Sequence, residues 1–477
     1  MKLSLRDWLE MAEAADALVR IDGADWDLEI GALSAISVKR KDCPALLFDA
    51  IKGYAPGYRV LTCSTSNHRL LSRTFNISAC TSDMDLVKIF KEKIPQWEAA
   101  LKEFPPRIVA TGPVLENVLS GMDVDLLKFP APKWHEHDNG RYIGTGDAVI
   151  TRDPDTGAVN IGTYRIKVHD KKTAALFITP GKHGRLHYEK YHSRAERCPV
   201  AISIGHHPLL FRVAGIRTPE GCEYNYVGAV QGEPVRVIQE EITGLPIPAD
   251  SEIVIVGWCP PDKKMPEGPF GEWTGYYASR EEPTPIVEVE RIYHRNRPII
   301  LGAPPSRPPH DAAYCRTIMG SALLYNELLK NGIPDIQGVW LSEAGLELLI
   351  IISLIQRYPG HARQAALFAT QNRLSASLGR YVIVVDEDID PSNIQEVLWA
   401  VCTRSDPEKD IDIVRRLWAS SLDPIAPRST RDYFSSRAII DACKPFEWKD
   451  QFPREIQVSP ELYRRVTDKW KDVLKLN

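Results

Sequence analysis

No apolar run in this sequence is long enough to span a bilayer. The longest, Leu348-Leu349-Ile350-Ile351-Ile352, extended past Ser353 by Leu354 and Ile355, is far below the ~20 residues a membrane helix needs. There is no basic block either. The net charge is -4 with both signs mixed throughout, so nucleic acid is not an expected partner. The nine cysteines, at 43, 63, 80, 198, 222, 259, 315, 402 and 443, form no C-x-x-C and are odd in number. Neither a disulfide framework nor a zinc ribbon is expected, and a reducing cytoplasm fits. Met1-Lys2-Leu3-Ser4 opens an amphipathic helix rather than a signal peptide. There is no P-loop, no G-x-G-x-x-G after a strand, no G-x-S-x-G and no H-E-x-x-H, so nucleotide-fold, serine-hydrolase and zincin readings lack support. What is present is an ordinary globular composition, 44% hydrophobic and 26% charged, in a chain long enough for about three domains.

Ser4 is a good N-cap with Asp7 three residues on, and Leu5, Trp8, Leu9, Ala12 and Ala15 follow helical spacing. Strands are expected at 17–21, 44–48 and 59–61. Ser82 should cap a helix carrying Leu86, Phe90 and Ile94, which Pro95 should break or kink. These elements make an α/β domain over 1–106. From 107 to 303 short β-branched runs (148–151, 160–168, 174–179, 200–204, 252–256, 286–290) alternate with Gly, Pro and Asp turns, with few helical stretches. That pattern predicts a barrel or sandwich rather than a doubly wound sheet. Pro304, Pro305, Pro308 and Pro309 mark the next boundary. Residues 304–477 are a second α/β domain, with buried strands at 346–352 and 381–385. Ile394, Val397, Leu398 and Val401 line a helix behind Ser392. The tail from Ser459 is helical, and its stripe of Leu462, Val466, Trp470 and Leu474 must be covered by the chain's own core or by a neighbouring subunit.

The most informative stretch is Pro266-Glu267-Gly268-Pro269-Phe270-Gly271-Glu272-Trp273. Its spacer cannot continue a helix, so two carboxylates hang from a loop shaped by covalent geometry. Such a pair can divide into a proton-holding acid and a permanent anion; a surface turn with two solvated glutamates is the plain alternative. Asn160-Ile161-Gly162-Thr163-Tyr164-Arg165 places an Arg and an Asn on an apolar strand. A buried guanidinium needs an anion, either a structural Asp or a substrate carboxylate or Glu267. Pro180-Gly181-Lys182-His183-Gly184 is a turn after a strand, and Glu223 precedes Tyr224-Asn225-Tyr226. His135-Glu136-His137 has zinc-like i, i+2 spacing, but its polar surroundings favour a solvated loop; the same holds for His206-His207.

Taken in order, the 160–165 strand, Pro180-Gly181-Lys182-His183, the segment from Glu223 to Gly228, the E-G-P-F-G-E loop, the 382–390 run and Leu398-Trp399-Ala400 resemble the UbiD family of reversible decarboxylases. The similarity is greatest to the aromatic-acid branch. It implies an N-terminal α/β domain, a central flavin-reductase-like split barrel and a C-terminal α/β domain that oligomerises. It implies prenylated FMN, bound along Asn160, Ile161, Gly162, Thr163, Tyr164, Arg165, Lys182, His183 and Glu223. Asn160, His183 and Glu223 match the divalent-metal ligands. This O,N,O set suits Mn²⁺ or Mg²⁺ better than zinc, and K⁺ commonly sits nearby. Arg165, Glu267 and Glu272 match the catalytic Glu-Arg-Glu set. Glu272 is implied as the proton donor, its pKa raised by burial, and Arg165 as the holder of Glu267 and of the substrate carboxylate. Trp273, Arg307 and His310 fall where relatives place substrate contacts, and Arg380 is a candidate for the cofactor phosphate. Lys182 stands where relatives often carry Gln.

The expectation is a prenylated-FMN-dependent (de)carboxylase of an aromatic or heteroaromatic acid. It would be cytoplasmic and a homo-oligomer (dimer or hexamer), supplied with cofactor by a flavin prenyltransferase. The alternatives are a polyprenyl-hydroxybenzoate decarboxylase of ubiquinone synthesis, against which Trp273 argues, and a non-catalytic carboxylase subunit, which would have no need of Glu272.

Overall fold

The first helix, Leu5–Ala14, starts where its sequence dictates: Ser4 and Asp7 form a reciprocal capping box, and Leu5, Trp8, Leu9 and Ala12 are buried. The computed structural model describes residues 4–77, 82–216, 218–278, 280–376, 378–420, 422–425 and 433–474; Met1 to Leu3 and Cys80 lie outside them. The described cysteines are all free thiols, and no described helix is long and apolar enough to cross a membrane. Leu18–Asp22, Ala45–Asp49 and Arg59–Thr62 form the N-terminal sheet. Its fourth strand, Ile299–Leu301, returns from far along the chain to pair with Arg59–Thr62. The helix Asp83–Ala99 runs through Pro95 instead of stopping there. Proline leaves the carbonyl of Lys91 without its helical partner, and the side-chain amide of Asn326 donates to that oxygen at 2.9 Å.

The central sheet has ten strands. Its main path runs Arg141–Gly144, Arg165–Val168, Thr173–Phe177, Glu282–His294, Ile253–Cys259, Cys198–Ile204, Ala148–Arg152 and Val159–Gly162. The second and last of these are joined by Thr163 and Tyr164 alone. In a flat sheet the six intervening spacings would separate them by about 29 Å, whereas a two-residue link reaches only about 11 Å. The sheet therefore curls round until its ends nearly meet, and the described end strands are not paired with each other: it is a split barrel. The interior is filled by alternate residues of these strands, among them Ile143, Val149, Ile166, Leu176, Ile202, Ile255 and Val287.

Two expectations are corrected here. Residues 160–168 are not one strand but two, because the chain turns a corner at Thr163-Tyr164, where the buried Asp147 carboxylate accepts the N–H of Tyr164 at 3.4 Å. The central part is also less purely β than expected. His183–Ser193, Pro208–Ala214 and Glu223–Gln231 are helices, and the first of these buries too few apolar residues to show a period: Gly184, His187 and Tyr188.

The C-terminal sheet is ordered Ile336–Leu341, Leu349–Leu354, Tyr381–Asp386, Phe434–Ala442 and Ile411–Trp418. The strand expected at 346–352 begins later, since Leu346 and Glu347 have positive φ in a turn. The long helix Asp311–Lys330 packs between this sheet and Asp83–Ala99, with Tyr314 donating to Asp83 at 2.6 Å. The last helix, Pro460–Leu474, leaves Leu462, Val466 and Trp470 uncovered in the single chain.

Candidate active site

Arg165 opens a strand whose neighbours are apolar, and its guanidinium is almost wholly buried. Both carboxylates of the 266–273 loop come to it. Nη1 is 2.5 Å from Oε1 of Glu272, Nη2 is 2.8 Å from Oε2 of Glu267, and Nε is 2.7 Å from Oε1 of Glu267. Phe177 and Phe270 flank the guanidinium carbon at 4.1 and 4.8 Å from their ring centroids, which excludes water and adds cation–π attraction. Burial opposes the charge on Arg165, but Glu272 and Glu267 more than restore it. Tyr142 donates to Oε1 of Glu267 at 3.0 Å; burial, then the Glu267 charge, push its hydroxyl well above the usual range. The resemblance pairs Arg165 with Glu267; the structure brings Glu272 to the same planar fork, which holds both acids at once. The Arg165–Val168 strand points Lys167 to the same side, its Nζ 3.2 Å from the Pro266 carbonyl, and burial draws its pKa down.

The loop is held from behind by the polar run that resembled a zinc motif. Asp138 is buried; its Oδ1 accepts the Gly271 N–H at 2.9 Å, and its Oδ2 accepts from the His135 backbone and ring at 3.0 Å each. Asn139 donates to the Gly268 carbonyl at 2.9 Å, and its backbone N–H to that of Pro269 at 3.0 Å. Gly268 sits at φ +84, where an added Cβ would lie 2.5 Å from the Arg280 carbonyl oxygen, so only glycine fits. His135 and its neighbours thus clamp the loop. Asp138→Ala removes the charged acceptor of the half-buried Gly271 N–H, a loss of about 1.5–3 kcal/mol. It should lower kcat more than it raises KM, because it loosens Glu272 without removing it; unchanged kcat in steady-state kinetics would show that the clamp is dispensable.

On the other side of the Thr163-Tyr164 corner, Asn160 faces a different group. Its amide lies 3.4 Å from the Tyr164 hydroxyl, which also accepts the Gly184 N–H at 3.3 Å. Glu223, the first residue of its helix, is buried; Thr218 donates to its Oε1 at 3.1 Å, while Oε2 has no hydrogen-bond partner among the described residues. Burial pushes its carboxyl up to about 7. His183 starts its helix and is exposed. An orphaned buried carboxylate oxygen, an amide and an imidazole form a donor set for a hard cation. A phosphate at the start of this helix would compete with the Tyr164 hydroxyl for the Gly184 N–H. A Cβ on Gly162 would lie 2.3 Å from the Tyr164 hydroxyl, so the cradle depends on a bare backbone. The residues present fit a metal-bridged phosphate group.

The remaining candidates are dispersed. Lys182 is exposed at the N-cap of the same helix. Trp273 is half-buried, with the Arg316 guanidinium 5.6 Å from its ring. His310 stands at the N-cap of the helix Asp311–Lys330 and is buried, its Nδ1 without a hydrogen-bond partner among the described residues; burial, then Arg316, bring its pKa down to about 3, so it is neutral. Arg307 is exposed. Arg380 is taken up by Asp423 in an ion pair, which corrects its assignment to a phosphate. His206 and His207 are buried, not solvated: Ser203 holds the first, and the second accepts the Leu209 N–H at 3.1 Å. Tyr142, Phe177, Lys167 and Asp138 were not expected at the site. Only Lys167 had a local signal, two residues from Arg165 on one strand face.

Comparison with known proteins agrees with this architecture. Residues 9–92, 107–308 and 314–442 match, in turn, the N-terminal, Rift-related and C-terminal domains of 3-octaprenyl-4-hydroxybenzoate carboxy-lyase, UbiD. A phenolic acid decarboxylase of Sedimentibacter hydroxybenzoicus is 32% identical, over 99% of this chain and 98% of its own. A pyrrole-2-carboxylic acid decarboxylase of Pseudomonas aeruginosa is 30% identical, over 94% and 93%. Among solved structures, the UbiD-class enzyme HmfF from Pelotomaculum thermopropionicum in complex with FMN superposes with a TM-score of 0.84 at 28% identity, covering 96% of this chain and 98% of that one. With matches to all three domains and relatives aligned over nearly its whole length, this chain belongs to the UbiD family.

Proposed function

We propose that the chain is a reversible, non-oxidative decarboxylase of an aromatic or heteroaromatic carboxylic acid that works with prenylated FMN. The observation that carries this reading is the dry Arg165 fork between Glu267 and Glu272. Relatives named for phenolic and pyrrole-2-carboxylic acids, and the FMN-bound neighbour, support the substrate class and the flavin. When bound, the prenylated flavin would supply the electron sink that decarboxylation needs and no side chain offers. Asn160, His183 and Glu223 would hold Mn²⁺ or Mg²⁺ against its phosphate, with K⁺ nearby. Ile161, Gly162, Thr163, Tyr164 and Lys182 would line it.

The roles of the chain's own residues follow from their geometry. Glu267 engages two guanidinium nitrogens and fixes the plane of Arg165. The single Nη1 contact of Glu272 is the one a substrate carboxylate replaces. Glu272, displaced from the cation into a dry site, takes up a proton from solvent and then delivers it to the ring carbon that has lost CO₂. Phe177 and Phe270 keep water from that exchange. Neutral His310, with its free Nδ1, and half-buried Trp273 are the proposed contacts to the ring and its substituents; Arg307 stays in this group on resemblance alone. The uncovered stripe on Pro460–Leu474 supports a homo-oligomer in which that helix packs on another copy; a cytoplasmic dimer or hexamer is the form proposed.

Protein produced alongside a flavin prenyltransferase is expected to carry a flavin-like spectrum and bound Mn²⁺, and His183→Ala to lose both together. Absorbance and metal analysis of the two proteins decide this. Wild-type protein with neither refutes the cofactor reading, and a variant that loses Mn²⁺ but keeps flavin refutes the metal bridge.

A further inference from the structure

We propose that the chain carries a second divalent-cation site, formed by Asp153, His187 and Glu220, which stands independently of the function proposed above. One ligand atom from each residue lies within 4.8 Å of the others, and Nε2 of His187 is 3.9 Å from Oδ2 of Asp153. Two donors that each sit about 2.1 Å from one ion are at most about 4.2 Å apart, so this pair already has a ligand-to-ligand separation. Glu220 is exposed, in the segment before the helix Glu223–Gln231, and is free to close the remaining gap.

His187 supplies an independent observation. It is 2% exposed, and its Nδ1 is 3.0 Å from the Thr151 hydroxyl. That contact fixes the ring and aims Nε2 between the two carboxylates. Nε2 makes no hydrogen bond with any described residue, and 3.9 Å is too long for one. The Thr151 hydroxyl can accept from or donate to Nδ1; when it accepts, the Nε2 lone pair is left facing the two carboxylates and is available to a cation. A cation bound there selects that tautomer, with Thr151 orienting the ligand from behind.

The three residues lie on or beside the elements that carry Asn160, His183 and Glu223. Asp153 follows the strand paired with the Asn160 strand, His187 lies one helical turn beyond His183, and Glu220 lies three residues before Glu223. The second set is the first displaced along the same scaffold. An ion there would pin the helix His183–Ser193 to the hairpin and so position His183.

Lys190 is the competitor. Its Nζ is 2.6 Å from Oδ2 of Asp153 and 3.0 Å from Oδ2 of Asp155, and its side chain is 38% exposed. Without an ion it supplies the positive charge at Asp153; with one it retains Asp155, which Arg194 also holds.

The test is Mn²⁺ titration of the full-length protein, with free Mn²⁺ followed by electron paramagnetic resonance. Wild type is compared with Glu220→Gln, Lys190→Met and Glu223→Gln. Glu220 and Lys190 are accessible enough for their variants to keep the fold. The expected result is a Mn²⁺ equivalent that survives Glu223→Gln, weakens by about tenfold or more in Glu220→Gln and tightens in Lys190→Met. Binding unchanged in both Glu220→Gln and Lys190→Met would overturn the proposal. So would loss of all Mn²⁺ in Glu223→Gln, which would mean one site rather than two.

Discussion

Glu272→Gln is expected to lower turnover by about 10²–10⁴-fold, the usual contribution of a positioned proton donor, while flavin, metal and fold are retained. The amide keeps the shape of the side chain and an oxygen for Arg165, but it has no acidic proton to give. The reaction should therefore stop before the ring carbon is protonated. Decarboxylation and solvent deuterium incorporation, measured side by side in variant and wild type, separate this from a general loss of activity. Near-normal deuterium incorporation by the variant would mean that water or another group delivers the proton. Glu267→Gln should behave differently: it loosens the plane of Arg165 and raises KM for the acid as well as lowering kcat.

Arg165→Met is expected to cost about 3–5 kcal/mol of stability in addition to abolishing turnover, as does breaking a buried ion pair from one side. Glu267 and Glu272, 1% and 5% exposed, would be left with no cation and with two aromatic rings facing a vacated charge. A carboxyl buried without its partner binds a proton more tightly folded than unfolded, so stability falls as pH rises. The loss, read from urea midpoints, should be larger at mildly alkaline than at mildly acidic pH. Arg165→Lys should recover part of the stability but little activity, since one ammonium cannot span the two acids as the planar fork does. A small loss that does not vary with pH would show that the two acids do not depend on the Arg165 charge.

How much of this was legible in the sequence depended on how far apart the partners lie. The capping box of Ser4 and Asp7, the apolar period of the Asp83–Ala99 helix and the two acids of the 266–273 loop are local patterns, and they appear where expected. The corner at Thr163-Tyr164 was not legible, because the carboxylate that accepts the Tyr164 N–H belongs to Asp147. Without that corner, Asn160 and Arg165 would share one strand; with it, they serve separate parts of the site. The continuation of a helix through Pro95 depends on Asn326, far along the chain. The clamp on the Glu272 loop depends on Asp138, whose local sequence suggested a solvated turn. Spacing could place two carboxylates on one loop, but only the fold brings both to one guanidinium.

The most direct test of the account is CO₂ release. Protein made together with a flavin prenyltransferase, and shown to carry flavin and Mn²⁺, would be given a panel of benzoic, pyrrole and furan carboxylic acids with varied ring substituents. The account predicts CO₂ release from at least one ring acid, with solvent deuterium at the vacated carbon, and loss of both in Arg165→Lys. Cofactor-loaded protein that released no CO₂ from any of these acids, and exchanged no deuterium into the corresponding decarboxylated rings, would contradict it.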